Sequence, residues 1–164
     1  MAKDINVWDL DTVDVLDPVF TLSGHKDSVL DLSWNALSRN AIASCSADKT
    51  CRLWDLEEKK SIEKFDFYKC IVQSVSFHPI ESQILLTGDC KGRASIIDCQ
   101  SGSIKKWKVC QDEIEKVLWN QYNPYTYLCS TSTGFIYVMD CRNENSHLFT
   151  IKAHNNMISG MELR

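Results

Sequence analysis

The residues of this chain that could support chemistry lie in its N-terminal third. His25 and Asp48 are a base and a carboxylate of the kinds found in a hydrolase triad, where the carboxylate orients the histidine. Ser44 or Ser46 would then be the nucleophile. The same side chains, joined by Trp54, also fit a structural hydrogen-bonded relay inside a β-sheet. The sequence around them decides between the two interpretations.

A Trp-Asp dipeptide recurs along the chain. It stands at 8–9 and 54–55, and degenerate forms, Ile-Asp and Met-Asp, stand at 97–98 and 139–140. The four aspartates are 46, 43 and 42 residues apart. These intervals match the length of one four-stranded propeller blade, about 40–45 residues. The chain is therefore predicted to consist of repeated β-sheet units.

A second repeat, in step with the first, supplies the strands. Four matching segments alternate apolar with polar residues: VLDLSW from Val29, VQSVSF from Val72, IEKVLW from Ile114 and ISGMEL from Ile158. Such alternation is typical of a strand with one packed face, and it disfavours a helix. The sequence therefore predicts an all-β propeller architecture.

The repeats divide the chain into five predicted units. These are the last two strands of a preceding blade (1–22), a blade with the complete residue pattern (23–66), two degenerate blades (67–109 and 110–152) and the first strand of a following blade (153–164). A closed ring of seven blades needs roughly 300 residues at about 43 per repeat, whereas this chain has 164. We therefore expect an incomplete arc, a fragment whose missing blades belong to a longer protein or are otherwise supplied by another copy or a partner.

The order of three short motifs carries a family resemblance. GH stands at 24–25, SADKT at 46–50 and LWD at 53–55. This order resembles the WD-repeat family, whose His, Ser/Thr, Asp and Trp form a buried relay within the blade. The resemblance implies a structural role, and no catalytic one, for His25, Ser44, Asp48 and Trp54, with Ser46 as the alternative serine.

The next two blades depart from this pattern. Tyr68 and Cys110 stand where the first blade has His25, and Ile97 and Met139 replace the tryptophan of the dipeptide. We therefore expect the stability of these two blades to rest more on apolar packing.

Three longer stretches indicate which WD-repeat proteins this chain resembles. They are INVWDLDTVDVLDPVFTL, HKDSVLDLSWN and IEKVLWNQYNPYTYLCSTSTGFIYVMDCR. Together they are similar to the periodic tryptophan proteins of the first type, a eukaryotic WD-repeat family, and the similarity extends along essentially the whole chain. It implies a non-enzymatic nuclear and nucleolar scaffold for large ribosomal subunit assembly and rRNA processing, with assembly factors or ribosomal proteins as partners. A generic WD-repeat adaptor or a chromatin-associated scaffold is the alternative.

Loops between strands are the predicted binding surface, because loops of neighbouring blades converge on one face of a propeller. The candidates for partner contact are Lys26, Tyr68, Lys69, Lys91, Arg93 and Gln111. A second prediction concerns RNA: lysines could track phosphates and an indole could stack on a base. The residues of that cluster are Lys105, Lys106, Trp107 and Lys108. Its competing interpretation is a charged outer strand with the tryptophan packed inward.

Composition and the absence of certain motifs limit the kinds of partner and ligand that we expect. A formal net charge of −4 is unlike a dedicated nucleic-acid binder, so protein partners are favoured over RNA. Eight cysteines without any Cys-x-x-Cys pair favour free buried thiols over a metal site or disulfides. The chain lacks a Gly-Lys-Ser/Thr phosphate loop and any apolar run of 18 residues. We therefore expect no cofactor, no small-molecule substrate and no membrane partner.

Overall fold

The computed structural model describes residues 2–9, 11, 17–143 and 147–162. Within those ranges all 14 regular elements are β-strands. They form three four-stranded antiparallel sheets and one two-stranded sheet, and consecutive strands of each sheet are neighbours. The predicted all-β arc of propeller blades is confirmed.

The strands fall into four groups along the chain. The two-stranded sheet contains β1 (Ile5–Val7) and β2 (Phe20–Leu22). The first blade contains β3 (Val29–Trp34), β4 (Ala41–Ser46), β5 (Cys51–Asp55) and β6 (Lys60–Phe65). The second contains β7 (Val72–Phe77), β8 (Ile84–Asp89), β9 (Arg93–Asp98) and β10 (Ile104–Lys108). The third contains β11 (Ile114–Trp119), β12 (Thr126–Thr131), β13 (Phe135–Asp140) and β14 (His147–Lys152).

Both partial units differ in detail from the expectation. The strand predicted to run from Ile5 towards residue 10 ends at Val7, and the Asp9 carboxylate accepts the N–H of Asp11 in the turn that follows; residue 10 lies outside the described residues. Residues 153–162 contain no strand, although a first strand was predicted there. A single strand needs a hydrogen-bonded neighbour, and the backbone of this segment instead donates to Gly134 and Thr131 of the third blade. The exact unit limits stay predictions.

Two apolar cores lie between blades. The first strands of the second and third blades supply the side chains that reach back onto the preceding blade. Val75 and Phe77 of β7 pack in one cluster with Ala43 of the first blade. Val117 and Trp119 of β11 belong to a second cluster with Leu86, Ala94 and Trp107 of the second blade. Alternation along the first strands is therefore what joins the blades.

A polar belt also joins the first strands of the three blades. Asp31, Ser74 and Lys116 occupy the same position in β3, β7 and β11. The Lys116 ammonium lies 2.6 and 2.7 Å from the two Asp31 carboxylate oxygens, and the Ser74 hydroxyl donates to Asp31 at 2.6 Å. Ser74 in turn accepts the Val117 N–H at 3.1 Å. The belt fixes the relative position of the three strands.

Candidate functional site

The structure brings the four predicted relay residues into one hydrogen-bonded chain. His25 lies in the connection before β3, Ser44 in β4, Asp48 in the β4–β5 turn and Trp54 in β5. His25 Nε2 is 2.7 Å from Ser44 Oγ, and His25 Nδ1 is 2.9 Å from Asp48 Oδ2. Trp54 Nε1 donates to Ser44 Oγ at 2.8 Å. This hydrogen-bonded chain links β4 and β5 to the β4–β5 turn and to the connection before β3.

Asp48 is the ionised end of this chain. Its carboxylate accepts the Lys26 N–H at 2.8 Å, the Thr50 N–H at 3.0 Å and the Thr50 hydroxyl at 2.6 Å. Burial alone would raise the pKa of the Asp48 carboxyl, but the hydrogen bonds from Thr50, Lys26 and His25 outweigh it and lower that pKa to about 2. Asp48 is therefore a carboxylate at neutral pH.

His25 is neutral, because burial lowers its pKa further than its hydrogen bond to Asp48 raises it. A neutral imidazole beside a carboxylate carries its proton on Nδ1, which donates to Asp48. Nε2 then accepts the Ser44 hydroxyl proton. These directions are those of a Ser-His-Asp triad. Ser44, however, is 0% exposed, and its oxygen also accepts the Trp54 indole proton, so no substrate can reach it.

The structure distinguishes between the two candidate serines. Ser46 Oγ accepts the Asp48 N–H at 3.0 Å and donates to the Asp27 carbonyl at 3.1 Å. Ser46 therefore stabilises the turn that carries Asp48, while Ser44 is the serine that bonds His25.

The degenerate blades replace the relay in two ways. In the second blade the Tyr68 and Thr87 hydroxyls form a buried bond of 2.7 Å, with Thr87 at the strand position of Ser44. In the third blade Cys110, Cys129 and Met139 hold the positions of His25, Ser44 and Trp54, and all three are buried. The polarity of this site therefore falls from the first blade to the third.

Comparison with known proteins agrees with this geometry. A family model, "WD domain, G-beta repeat", matches residues 16–55, the stretch that contains the relay. The chain is also 37% identical, over 98% of its length, to "Periodic tryptophan protein 1 homolog" of Drosophila melanogaster. The chain therefore contains a WD repeat. The predicted resemblance to the periodic tryptophan proteins of the first type is confirmed.

Two further relatives extend this similarity. The WD-repeat chain is 34% identical over 82% of its length to "Periodic tryptophan protein 1" of Saccharomyces cerevisiae. It is 27% identical over 86% of its length to "Ribosome biogenesis protein WDR12 homolog" of Caenorhabditis briggsae. The chain spans 39% of the Drosophila protein, 25% of the yeast protein and 32% of the Caenorhabditis protein.

The predicted partner-binding residues of the WD-repeat chain separate into two groups. Four are exposed at the sheet edge that also holds the relay, in loops before a first strand or after a second strand: Lys26, Lys69, Lys91 and Gln111. Tyr68 is buried, which contradicts its predicted role in partner contact, whereas the Arg93 side chain is 36% exposed and its role stays a prediction. Tyr68 is only 9% exposed and bonds Thr87, and the Arg93 guanidinium donates to Asp89 at 2.8 Å and to Cys70 Sγ at 3.2 Å.

The predicted RNA cluster does not form a continuous surface. Trp107 is 8% exposed and donates from Nε1 to the Tyr127 hydroxyl at 2.6 Å, so its ring cannot stack on a base. Lys106 lies 3.7 Å from the centre of the Phe67 ring. Because side chains alternate along β10, Lys106 and Lys108 face away from Lys105. The competing interpretation, a charged outer strand with an inward tryptophan, fits the WD-repeat chain better.

In the part of the chain that the structure describes, the cysteines show no sign of a metal site. All eight cysteines are free thiols, and burial raises the pKa of Cys51 and Cys129 well above the ordinary value. Among residues 2–9, 11, 17–143 and 147–162, no group of three or more His, Cys, Asp or Glu side chains is placed to hold a metal ion. The same ranges contain no helix long and apolar enough to cross a bilayer.

Sequence reasoning missed three features of the WD-repeat chain. Tyr127, which receives the Trp107 indole proton, lies in an apolar strand with no distinguishing motif. The belt of Asp31, Ser74 and Lys116 was present in the repeat alignment as one shared position, and that signal could have revealed it. The third feature is a crevice between the second and third blades, which requires coordinates to find.

Proposed function

We propose that this chain is a non-enzymatic WD-repeat scaffold that holds protein partners during ribosome biogenesis. One observation carries the non-enzymatic part: the Ser44 hydroxyl, which is oriented as a nucleophile would be, is 0% exposed beneath Trp54. A buried network with satisfied hydrogen bonds rigidifies a fold, whereas a catalytic serine must reach its substrate. His25, Ser44, Asp48 and Trp54 are therefore assigned a structural role.

Similarity to known proteins supports the ribosomal part of the proposal. Two relatives are periodic tryptophan proteins, and a third has ribosome biogenesis in its name. From these we extend the proposal to a nuclear and nucleolar location and to assembly of the large ribosomal subunit with processing of its rRNA. Assembly factors or ribosomal proteins are the proposed partners, and Lys26, Lys69, Lys91 and Gln111 are proposed contact residues. Pre-rRNA contact is secondary.

The test is affinity purification of the full-length parent protein from nuclear extract, followed by gradient sedimentation and identification of co-migrating proteins and RNA. We expect co-migration with large-subunit precursors. The single variants Lys26→Glu and Lys69→Glu should each retain the fold and lose part of this association, while Lys60→Glu, on the outer strand of the first blade, serves as the charge-matched control. Co-migration with nucleosomes or a ubiquitin ligase would contradict the ribosomal role and support a chromatin-associated scaffold or an adaptor.

A second measurement tests the absence of catalysis. Ser44→Ala removes the hydroxyl that a hydrolase would need. We expect the variant to retain all association with ribosomal precursors under conditions in which it stays folded. Ester or peptide hydrolysis by the wild type that disappears in Ser44→Ala would overturn the non-enzymatic assignment.

A further inference from the structure

A crevice of about 650 Å³ opens between the second and third blades. It is lined by the β7–β8, β9–β10, β11–β12 and β13–β14 connections. Successive connections of an antiparallel sheet lie at alternate edges, so these lie at the edge opposite the relay and the predicted partner loops. The crevice is thus separate from every site considered above.

The walls of the crevice are mainly apolar. Ile84, Ile96 and the buried Trp119 line it, and Tyr125 and Ile80 stand at it with exposed fractions of 51% and 62%. Large apolar side chains exposed around a concave surface are typical of a site that binds another molecule. The volume is enough for one large side chain and its neighbouring backbone.

Two charged side chains of the crevice, Asp98 and Arg142, already have partners. The Asp98 carboxylate accepts the N–H groups of Gln100 and Ser101 at 2.9 and 3.2 Å and the Ser101 hydroxyl at 2.7 Å. Arg142 donates to Asp140 from two nitrogens, at 2.9 and 2.6 Å, and lies 4.5 Å from the centre of the Tyr125 ring. These groups hold the crevice in shape.

Two charged side chains of the lining are without partners. Lys105 makes no hydrogen bond or ion pair with any part of the chain that the structure describes, and neither does the Glu81 carboxylate. An unpaired ammonium beside an apolar wall complements an apolar side chain that has a carboxylate next to it. A chain of phosphates would instead bring repeated negative charge near Glu81 and Asp98, which disfavours RNA.

We propose that this crevice docks a segment of a protein partner in which an aromatic or large aliphatic residue is adjacent to an acidic residue. The apolar side chain packs against Ile84, Ile96 and Trp119, and the carboxylate pairs with Lys105. This inference rests on the proposed function as a protein-binding scaffold and adds the chemistry of one partner segment. Lys105 determines the preference for an acidic residue, and the apolar wall supplies most of the binding.

Two peptides that differ in one group test the proposal: acetyl-Ala-Glu-Phe-Ala-amide and acetyl-Ala-Gln-Phe-Ala-amide. Titration into the ¹⁵N-labelled chain should shift the Trp119 indole N–H resonance, and the Glu peptide should bind about threefold more tightly, as expected for one exposed ion pair. Lys105→Met should remove that preference and leave the affinity for the Gln peptide unchanged. Lys60→Met, on the outer strand of the first blade, should leave both affinities unchanged.

Three results would overturn the proposal: no shift of the Trp119 resonance with either peptide, a Glu preference that survives Lys105→Met, or an oligouridylate that binds at the crevice more tightly than both peptides. Sedimentation of the full-length Ile80→Asp protein, in which a carboxylate replaces an exposed apolar side chain of the crevice wall, separates this inference from the proposed function. If the crevice docks a partner, the variant should lose that partner from the large-subunit precursors that it still accompanies. Unchanged composition of those particles would reject the crevice alone, whereas a wild-type protein absent from them would reject the ribosomal role.

Discussion

The first and third blades have side chains of different polarity at equivalent positions. In the first blade His25, Ser44 and Trp54 form a hydrogen-bonded chain that ends on a carboxylate. In the third blade the same positions hold two buried thiols and Met139. Both blades nevertheless form four antiparallel strands in the same order. The relay is therefore not needed to make a blade.

The relay of the first blade and the apolar site of the third blade should respond differently when one of their side chains is truncated. A buried thiol or thioether can be truncated with a loss set by its volume. Removal of one member of the relay leaves its polar partners buried and unpaired, which adds about 1–3 kcal/mol to the loss of stability. The first blade should thus be the more sensitive to single substitutions and the more sensitive to pH.

The largest expected effect is that of Trp54→Ala. Trp54 is 1% exposed and packs with Ile5 and Leu22, so truncation removes a large apolar contact as well as the donor to Ser44. We expect the free energy of unfolding to fall by about 3–5 kcal/mol or more, measured by urea denaturation followed by circular dichroism. Met139→Ala, the matched change in the third blade, should cost less, and Trp8→Ala, at a tryptophan 48% exposed, should be nearly neutral. Equal losses at Trp54 and Met139 would contradict the comparison.

His25→Ala should produce the next largest effect. It leaves the Ser44 hydroxyl and one oxygen of the Asp48 carboxylate without their imidazole partner, and we expect a loss of about 1–3 kcal/mol. Cys110→Ala, at the same position of the third blade, should lose less, because it removes one sulfur and a weak bond to a carbonyl. A double-mutant cycle between His25→Ala and Trp54→Phe should give a coupling of about 0.5–3 kcal/mol through Ser44. Additive effects would show that the relay does not act as a unit.

Acid should destabilise the first blade in two stages. The pKa of Asp48 is lowered to about 2 in the folded chain, against an ordinary value of 3.8, so its contribution is full above that ordinary value and is lost as pH falls towards 2. The pKa of His25 is lowered from 6.5, so the unfolded chain binds the proton first and stability begins to fall below pH 6.5. The Asp48 stage corresponds to about 2 kcal/mol.

Unfolding free energies measured at intervals between pH 7 and pH 2 check this prediction. His25→Gln should remove the decline that begins below pH 6.5, and Asp48→Asn should flatten the steeper decline at lower pH. Substitution of Asp98, an exposed turn carboxylate whose pKa is lowered by hydrogen bonds from Ser101 and Gln100, is the control for general acid effects. A wild-type profile that matches both relay variants would reject the assigned protonation states.

Features that depend on one strand alone, or on a known family pattern, could be predicted from the sequence, and other features that depend on contacts between strands could not. The first strands of the three blades were predictable, because a period of two in hydrophobicity is a property of each strand alone, and the segments VLDLSW, VQSVSF and IEKVLW coincide with β3, β7 and β11. The relay was predictable because its spacing is that of a known family. Burial of Trp107 was anticipated only as the competing interpretation, and burial of Tyr68 was not predicted, because their partners Tyr127 and Thr87 lie on other strands and no local pattern indicates them. The crevice depends on the fit of two blades, which periodicity does not encode.

The smallest expected effect concerns the turn that carries Asp48. Lys49 has φ +67°, and the matching turns of the second and third blades have Gly92 and Gly134 at positive φ. Lysine is strained in this region, whereas glycine is not, but glycine also increases the entropy of the unfolded chain. We expect Lys49→Gly to raise the free energy of unfolding by at most about 1 kcal/mol. Lys91→Gly, one residue before Gly92 in the second blade, relieves no such strain and should be slightly destabilising; a loss of stability in both variants would mean that the Lys49 side chain stabilises the relay turn by a contact that outweighs its backbone strain.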